Sequence, residues 1–171
     1  VNLQFIGPDQ PIPPADLIIL PGSKSTRADL AWLQAQGWPQ AIAKHLRYGG
    51  KVLGICGGFQ MLGERVDDPD SLEGKSGSTD GLGLLAMTTT MVAGKQLCEV
   101  HGSLNLPTSN SAAGAAFSGY EMHNGISQGP ALLRPLASIH GKHEGAIRAD
   151  KQGAGTSVRG ICAQQAACAA L

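Results

Sequence analysis

Charged side chains are scarce in this sequence, at 15% of 171 residues, and aromatic ones scarcer still, at 4%. Thirteen Lys and Arg are cancelled by thirteen Asp and Glu, and neither sign is gathered into a long block. A chain without a basic stripe has no electrostatic footprint for nucleic acid or for anionic lipid, so both make poor partners here. No apolar run approaches the roughly 18 residues that a membrane-spanning helix needs. The opening residues, Val1-Asn2-Leu3-Gln4-Phe5-Ile6, have neither the basic flank nor the length of a signal peptide. A soluble, cytoplasmic protein is expected. Cysteine is confined to positions 56, 98, 162 and 168, with no C-x-x-C pair and no histidines nearby at zinc-finger spacing. Neither a disulfide scaffold nor a metal site is suggested by that pattern.

Glycine, by contrast, is abundant: 24 residues, roughly double the ordinary share. It points to backbone geometry that other residues cannot adopt. With 42% hydrophobic residues, a chain of this length can bury one core, and a single domain over residues 1–171 is expected.

Along the chain, residues 1–6 alternate apolar and polar like a strand, and Pro8, Pro11, Pro13 and Pro14 then enforce an extended connection. Asp16-Leu17-Ile18-Ile19-Leu20, ended by Pro21-Gly22, reads as a strand buried on both faces. Ser25 or Thr26 can cap a helix running to about Gln36, where Gly37 stops it, and a second helix starts near Pro39 and ends at Gly49-Gly50. Lys51-Val52-Leu53-Gly54-Ile55 is the next buried strand, followed by a helix from about Gly58. Such alternation predicts an α/β layer fold with right-handed crossovers. Residues 67–80 read as a polar loop, and beyond them strand-like stretches near 96–104, 119–123 and 146–149 make the second half β-rich.

The chemistry centres on Gly54-Ile55-Cys56-Gly57-Gly58, a G-x-nucleophile-x-G sequence at a predicted strand-to-helix junction. Flanking side chains would collide with neighbouring strands, so glycines are needed on both sides of the turn. The turn displays a sulfur at a helix N-terminus, where the thiolate is favoured, and aims the Gly57 N–H at a carbonyl oxygen bound beside it. Other features carry less. Pro69-Asp70-Ser71-Leu72-Glu73-Gly74-Lys75-Ser76 lacks the glycine and preceding strand of a phosphate loop and reads as a surface loop. His140-Gly141-Lys142-His143-Glu144 lacks a helix and a third ligand and reads as a solvated turn. Cys98, Cys162 and Cys168 read as packing residues, the last two able to pair if oxidised, and Trp32 and Trp38 as core or domain-contact residues.

Five motifs occur in an ordered set: Asp16-Leu17-Ile18-Ile19-Leu20-Pro21-Gly22-Ser23-Lys24, the Gly54–Gly63 elbow segment Gly54-Ile55-Cys56-Gly57-Gly58-Phe59-Gln60-Met61-Leu62-Gly63, Gly81-Leu82-Gly83-Leu84-Leu85, Gly119-Tyr120-Glu121-Met122-His123, and Glu144-Gly145-Ala146. In these the sequence resembles the class I glutamine amidotransferases, and in detail the amidotransferase domain of the cobyric acid synthase and corrin-amidating family. The resemblance implies a class I amidotransferase fold: a mostly parallel sheet flanked by helices, with β-rich additions in the second half. It also implies glutamine hydrolysis, with Cys56 as nucleophile, the backbone N–H groups of Gly22 and Gly57 as the oxyanion hole, and His123 as a structural or substrate-facing residue. Ammonia would pass to corrin carboxylates activated with ATP and Mg on a separate synthetase domain or subunit, in cobalamin biosynthesis. No cofactor is expected in this domain itself.

The resemblance has two departures. The chain begins at what resembles the family's second strand, so the first strand and the ATP-dependent domain before it are not in it. Near the C-terminus the family carries Gly-Thr-Tyr-x-His-Gly, whose histidine takes the thiol proton, where this chain reads Gly155-Thr156-Ser157-Val158-Arg159-Gly160. A guanidinium only donates, so Arg159 cannot accept and return a proton, although it can stabilise a thiolate. Weak or absent glutaminase activity is therefore expected unless another histidine, His123 foremost, takes over. Three further readings stand beside this one: a corrin a,c-diamide synthase, a cell-wall glutamate-amidating subunit, and a non-catalytic domain that binds a synthetase partner.

Overall fold

A computed structural model describes residues 2–94, 97–106, 114–121, 124–164 and 167. Strand β1 (Leu17–Leu20) leads through helices α1 (Thr26–Ala35) and α2 (Trp38–Arg47) to β2 (Lys51–Ile55) and the short helix α3 (Gly57–Met61). There follow β3 (Arg65–Asp68), β4 (Gly77–Asp80), β5 (Thr88–Met91), β6 (Cys98–Leu104), β7 (Ala116–Glu121) and β8 (Gly125–Gln128). The last strands are β9 (Ala137–Ile139), β10 (Lys142–Glu144), β11 (Ala146–Ile147), β12 (Gly153–Thr156) and β13 (Val158–Arg159).

They form three sheets, ordered β1-β2-β12-β11, β4-β3-β5-β8 and β10-β9-β6-β7-β13. In the first, β1 and β12 flank β2 in parallel, with Leu20 opposite Gly54 on one side and Gly155 opposite Gly54 on the other. Val52, Leu53 and Gly54 of β2 are buried, the continuous apolar run expected of a central parallel strand. Antiparallel pairing joins β11 to β12 and dominates the other two sheets, apart from the parallel β3–β5 pair.

The helices form where the sequence places them. Leu30 and Leu33 of α1, and Ile42 and Leu46 of α2, bury one face each by their three- and four-residue spacing. Gly37, at φ +70°, supplies the left-handed residue that separates the two helices. At this corner Trp32 and Trp38 meet edge to face, ring centroids 5.0 Å apart. Ser25 makes no side-chain cap; instead Ser23 Oγ accepts a hydrogen bond from the Ser25 amide and donates to the Asp29 carboxylate. One apolar cluster, with Leu30, Ile42, Val52, Phe59 and Met87, lies under these helices. A second, with Leu53, Val100, Phe117, Leu136 and Val158, fills the space on the other side of the first sheet.

Two sequence expectations are corrected. Residues 2–6 form no strand: no neighbouring strand offers them a hydrogen-bond ladder, and Leu3 and Phe5 stay exposed. Residues 67–80 are not a plain loop, since β3 and β4 pair there, from Arg65 opposite Asp80 to Asp68 opposite Gly77. What organises this hairpin is a carboxylate. Buried Asp68 accepts the Leu72 and Glu73 amides at 2.8 and 2.9 Å and lies 3.8 Å from the Arg27 guanidinium. The strand near residues 96–104 begins at Cys98, and the one near 146–149 is only Ala146–Ile147.

Candidate active site

Between β2 and α3 the chain turns at Cys56, whose φ is +54° and ψ −111°. A β-carbon pays steric strain there, so the position of this residue is one that the surrounding packing must enforce. The two neighbouring glycines show how. A Cβ on Gly58 would lie 2.0 Å from the Leu20 carbonyl oxygen of β1, and one on Gly54 would lie 2.6 Å from the Gly58 oxygen. Only bare backbone lets the elbow press this tightly against the sheet. Its N-terminal side is fastened by the Cys56 N–H, which donates to the Thr156 carbonyl at 2.7 Å. Its C-terminal side is capped by the Gly81–Leu85 motif: the Leu82 N–H donates to Met61 O, and those of Leu84 and Leu85 to Leu62 O, each at 2.9 Å. These bonds satisfy carbonyls that the end of α3 would otherwise leave without partners.

Gly22 and Gly57, singled out in the sequence, both border this turn. The vacant Cβ position of Gly22 is 3.5 Å from the Cys56 Cβ and 3.5 Å from Nε and Nη2 of Arg159, and that of Gly57 is 2.8 Å from the Ser23 amide nitrogen. Arg159 arrives from the far end of the sequence because the chain changes sheets. It leaves the first sheet at Thr156, opposite Ile55, and two residues later Val158–Arg159 pairs with Tyr120 and Glu121 of β7. The change of sheet is held by Glu144, whose Oε1 accepts from Thr156 Oγ1, Ser157 N and Ser157 Oγ at 2.9, 2.6 and 2.8 Å. Arg159 Nη2 then donates to Cys56 Sγ at 3.3 Å, while its Nε is buried with no hydrogen-bond partner among the described residues. His123 lies outside the described residues.

Beside the elbow is a cavity of about 260 Å³, walled by Cys56, Phe59, Gln60, Glu121, His143, Glu144 and Ser157 among others. Of these, only Cys56 was assigned a catalytic or binding role from the sequence. Gln60 follows Cys56 by one helical turn, a spacing that places both on one face and was open to being noticed. Glu144 lies in a motif that carried the resemblance without a stated function. The expected solvated turn is present at His140-Gly141, both exposed, but Lys142–Glu144 beyond it is strand β10, and three-residue strands leave too little alternation to detect.

Behind Gln60 runs a polar relay away from the cavity. Thr26 Oγ1 lies 3.2 Å from Gln60 Oε1 and 3.3 Å from Glu73 Oε1. Burial pushes the Glu73 carboxyl up, against the lowering effect of hydrogen bonds from the Arg27 amide and from Thr26. Asp68 is opposite in sign: burial raises it, but the Glu73 and Leu72 amides and Arg27 together hold it below the usual carboxylate range. A larger hollow of about 760 Å³, between the extended N-terminal segment and α2, has Trp38, Lys44 and Tyr48 on its wall and no cysteine, and lies apart from this chemistry.

Among the described residues there is no group of three His, Cys, Asp or Glu side chains that could hold a metal ion, and no helix is long and apolar enough to cross a membrane. Solved structures share the architecture. One titled as a crystal structure of glutamine amidotransferase superposes with a TM-score of 0.59 at 18% identity, covering 84% of this chain and 70% of that one. The structure of PurLQS from Thermotoga maritima gives a TM-score of 0.61 at 16% identity, covering 91% and 74%. Identities this low establish the class I amidotransferase-like α/β fold. The model of the CobB/CobQ-like glutamine amidotransferase domain matches residues 1–167, and the chain belongs to that family.

Proposed function

We propose that this chain is the glutamine-handling half of a glutamine-dependent amide synthetase of the corrin-amidating branch, cobyric acid synthase foremost. The observation that carries the reading is the strained elbow at Cys56 on the wall of a cavity of about 260 Å³. In this reading the Cys56 thiolate attacks the side-chain amide carbon of glutamine. The Gly22 and Gly57 N–H groups receive the developing oxyanion, each worth of order 10²–10³ in rate. The carbon–nitrogen bond breaks, ammonia leaves with a proton, and water then releases glutamate from the thioester. Ammonia is consumed on a partner synthetase domain or subunit, which also carries the ATP, Mg and corrin substrate; this domain needs no cofactor of its own.

Arg159 limits the chemistry. As a pure donor it supports a thiolate 3.3 Å away but cannot shuttle the proton that each half-reaction moves. The same contact favours a second reading, a domain that retains the site's architecture and serves chiefly to bind its synthetase partner. The test is intact-mass spectrometry with peptide mapping after treatment with the diazoketone analogue of glutamine, with and without competing glutamine. Modification of Cys56 that glutamine suppresses is the expected result. A folded chain that takes up no label supports the second reading instead.

A further inference from the structure

We propose that Glu144 is the group through which the Cys56 cavity selects an amino acid with a free α-amino group, an inference that rests on the glutamine reading and specifies its substrate contact. The two oxygens of this carboxylate are unequally used. Oε1 accepts three hydrogen bonds, from Thr156 Oγ1, Ser157 N and Ser157 Oγ, all within 2.9 Å. Oε2 has no hydrogen bond or ion pair among the described residues, although it is an acceptor like Oε1. The side chain is half-buried and stands on the cavity wall. Three donors on one oxygen fix the orientation of the group, so the second oxygen is presented without further ordering cost.

The wall also has a sign. Its described ionisable side chains besides Cys56 are Glu121, His143 and Glu144, and the Arg159 guanidinium beside it is directed at Cys56 Sγ, 3.3 Å away. Such a wall takes a compact cation that only donates, and a primary ammonium fits that description. Glu121 is the other carboxylate, placed at the end of β7 and opposite Val158, and serves as the comparison.

The experiment follows alkylation of Cys56 by iodoacetamide in the full chain, by peptide mapping, with free glutamine or N-acetylglutamine as protecting ligand. Iodoacetamide carries no amino group, so the label itself is indifferent to Glu144. In the parent, glutamine protects at a concentration at least about tenfold below N-acetylglutamine, equivalent to about 1.4 kcal/mol. Glu144→Gln keeps an accepting oxygen for Thr156 and Ser157 but removes the charge, and brings the two ligands within about twofold; Glu121→Gln, whose charge belongs to the same wall, reduces the discrimination by less than Glu144→Gln does. Equal protection of the parent by both ligands, which needs no variant, overturns the inference while leaving the glutamine reading standing. So does loss of discrimination in Glu121→Gln and not in Glu144→Gln. Protection by neither ligand, with Cys56 alkylated freely, overturns the glutamine reading and this inference together.

Discussion

Arg159 Nη2 lies 3.3 Å from Cys56 Sγ, across 103 positions of sequence. The contact depends on three separate devices: the elbow that projects the sulfur, the parallel pairing of β12 with β2, and the change of sheet after Thr156. In the proposed glutamine reading, a pure donor stands where a general base would serve the nucleophile.

Replacing Arg159 by histidine is therefore expected to raise ammonia release from glutamine by at least about 10²-fold, the lower end of what general acid–base catalysis contributes. A coupled ammonia assay on the two purified proteins measures it. A variant no faster than its parent would place the block elsewhere than at residue 159.

The elbow residue offers a stability test. Cys56→Ala keeps the strained backbone and removes the sulfur, whereas Cys56→Gly relieves the positive φ. Both lose covalent labelling, and the glycine variant is expected to be more stable than the alanine one by about 1–3 kcal/mol in urea unfolding. Equal stabilities would show that the turn stores no strain.

Gly58→Ala is expected to be costly in a different way. Its added carbon would lie 2.0 Å from the Leu20 backbone oxygen, which has no flexible end to move aside. A loss of about 1–3 kcal/mol or more in unfolding free energy follows, together with slower labelling of Cys56 as the elbow shifts. Gly49 has nothing within 4 Å of its Cβ position but sits at φ +89°, so substitution there should cost stability without touching the label.

Strands β1 and β2, the two long helices and the elbow were legible in the sequence because buried runs, glycine punctuation and strand-to-helix spacing are local signals, whereas β12, Gly153-Ala154-Gly155-Thr156, has no such run and was not. The hairpin of β3 and β4 was not. Arg65-Val66-Asp67-Asp68 and Gly77-Ser78-Thr79-Asp80 have little hydrophobic alternation, and their pairing is accompanied by amide bonds to one buried carboxylate, which periodicity does not register. Cys56, Gly22, Gly57 and Arg159 were singled out in the sequence, and the structure places them side by side. Glu144 was quoted without its task, since a carboxylate whose partners lie 12 and 13 residues away leaves no mark until β10 and β12 are placed in space.

The same carboxylates set an acid response. Asp68 is held below its ordinary range, so its contribution to stability is present above the unfolded-state value and is lost as pH falls through the folded one. Glu73 is raised, so ionising it opposes folding at neutral pH, and that penalty fades as pH falls through its folded value. Glu73→Gln is accordingly expected to be at least as stable as the parent near neutral pH, with the difference closing on acidification. Asp68→Asn should be less stable near neutral pH and converge with the parent in acid. Urea unfolding midpoints across pH 3–8, a span of roughly the carboxylate range and above, check both signs.

Both tryptophans of the chain stand at the α1–α2 corner, edge to face and 5.0 Å apart. Intrinsic emission is consequently a reporter of that corner, while alkylation of Cys56 reports the elbow. Denaturation followed by the two signals samples two places in the molecule, and superimposable curves would mark the helical corner and the nucleophile turn as parts of one cooperative unit.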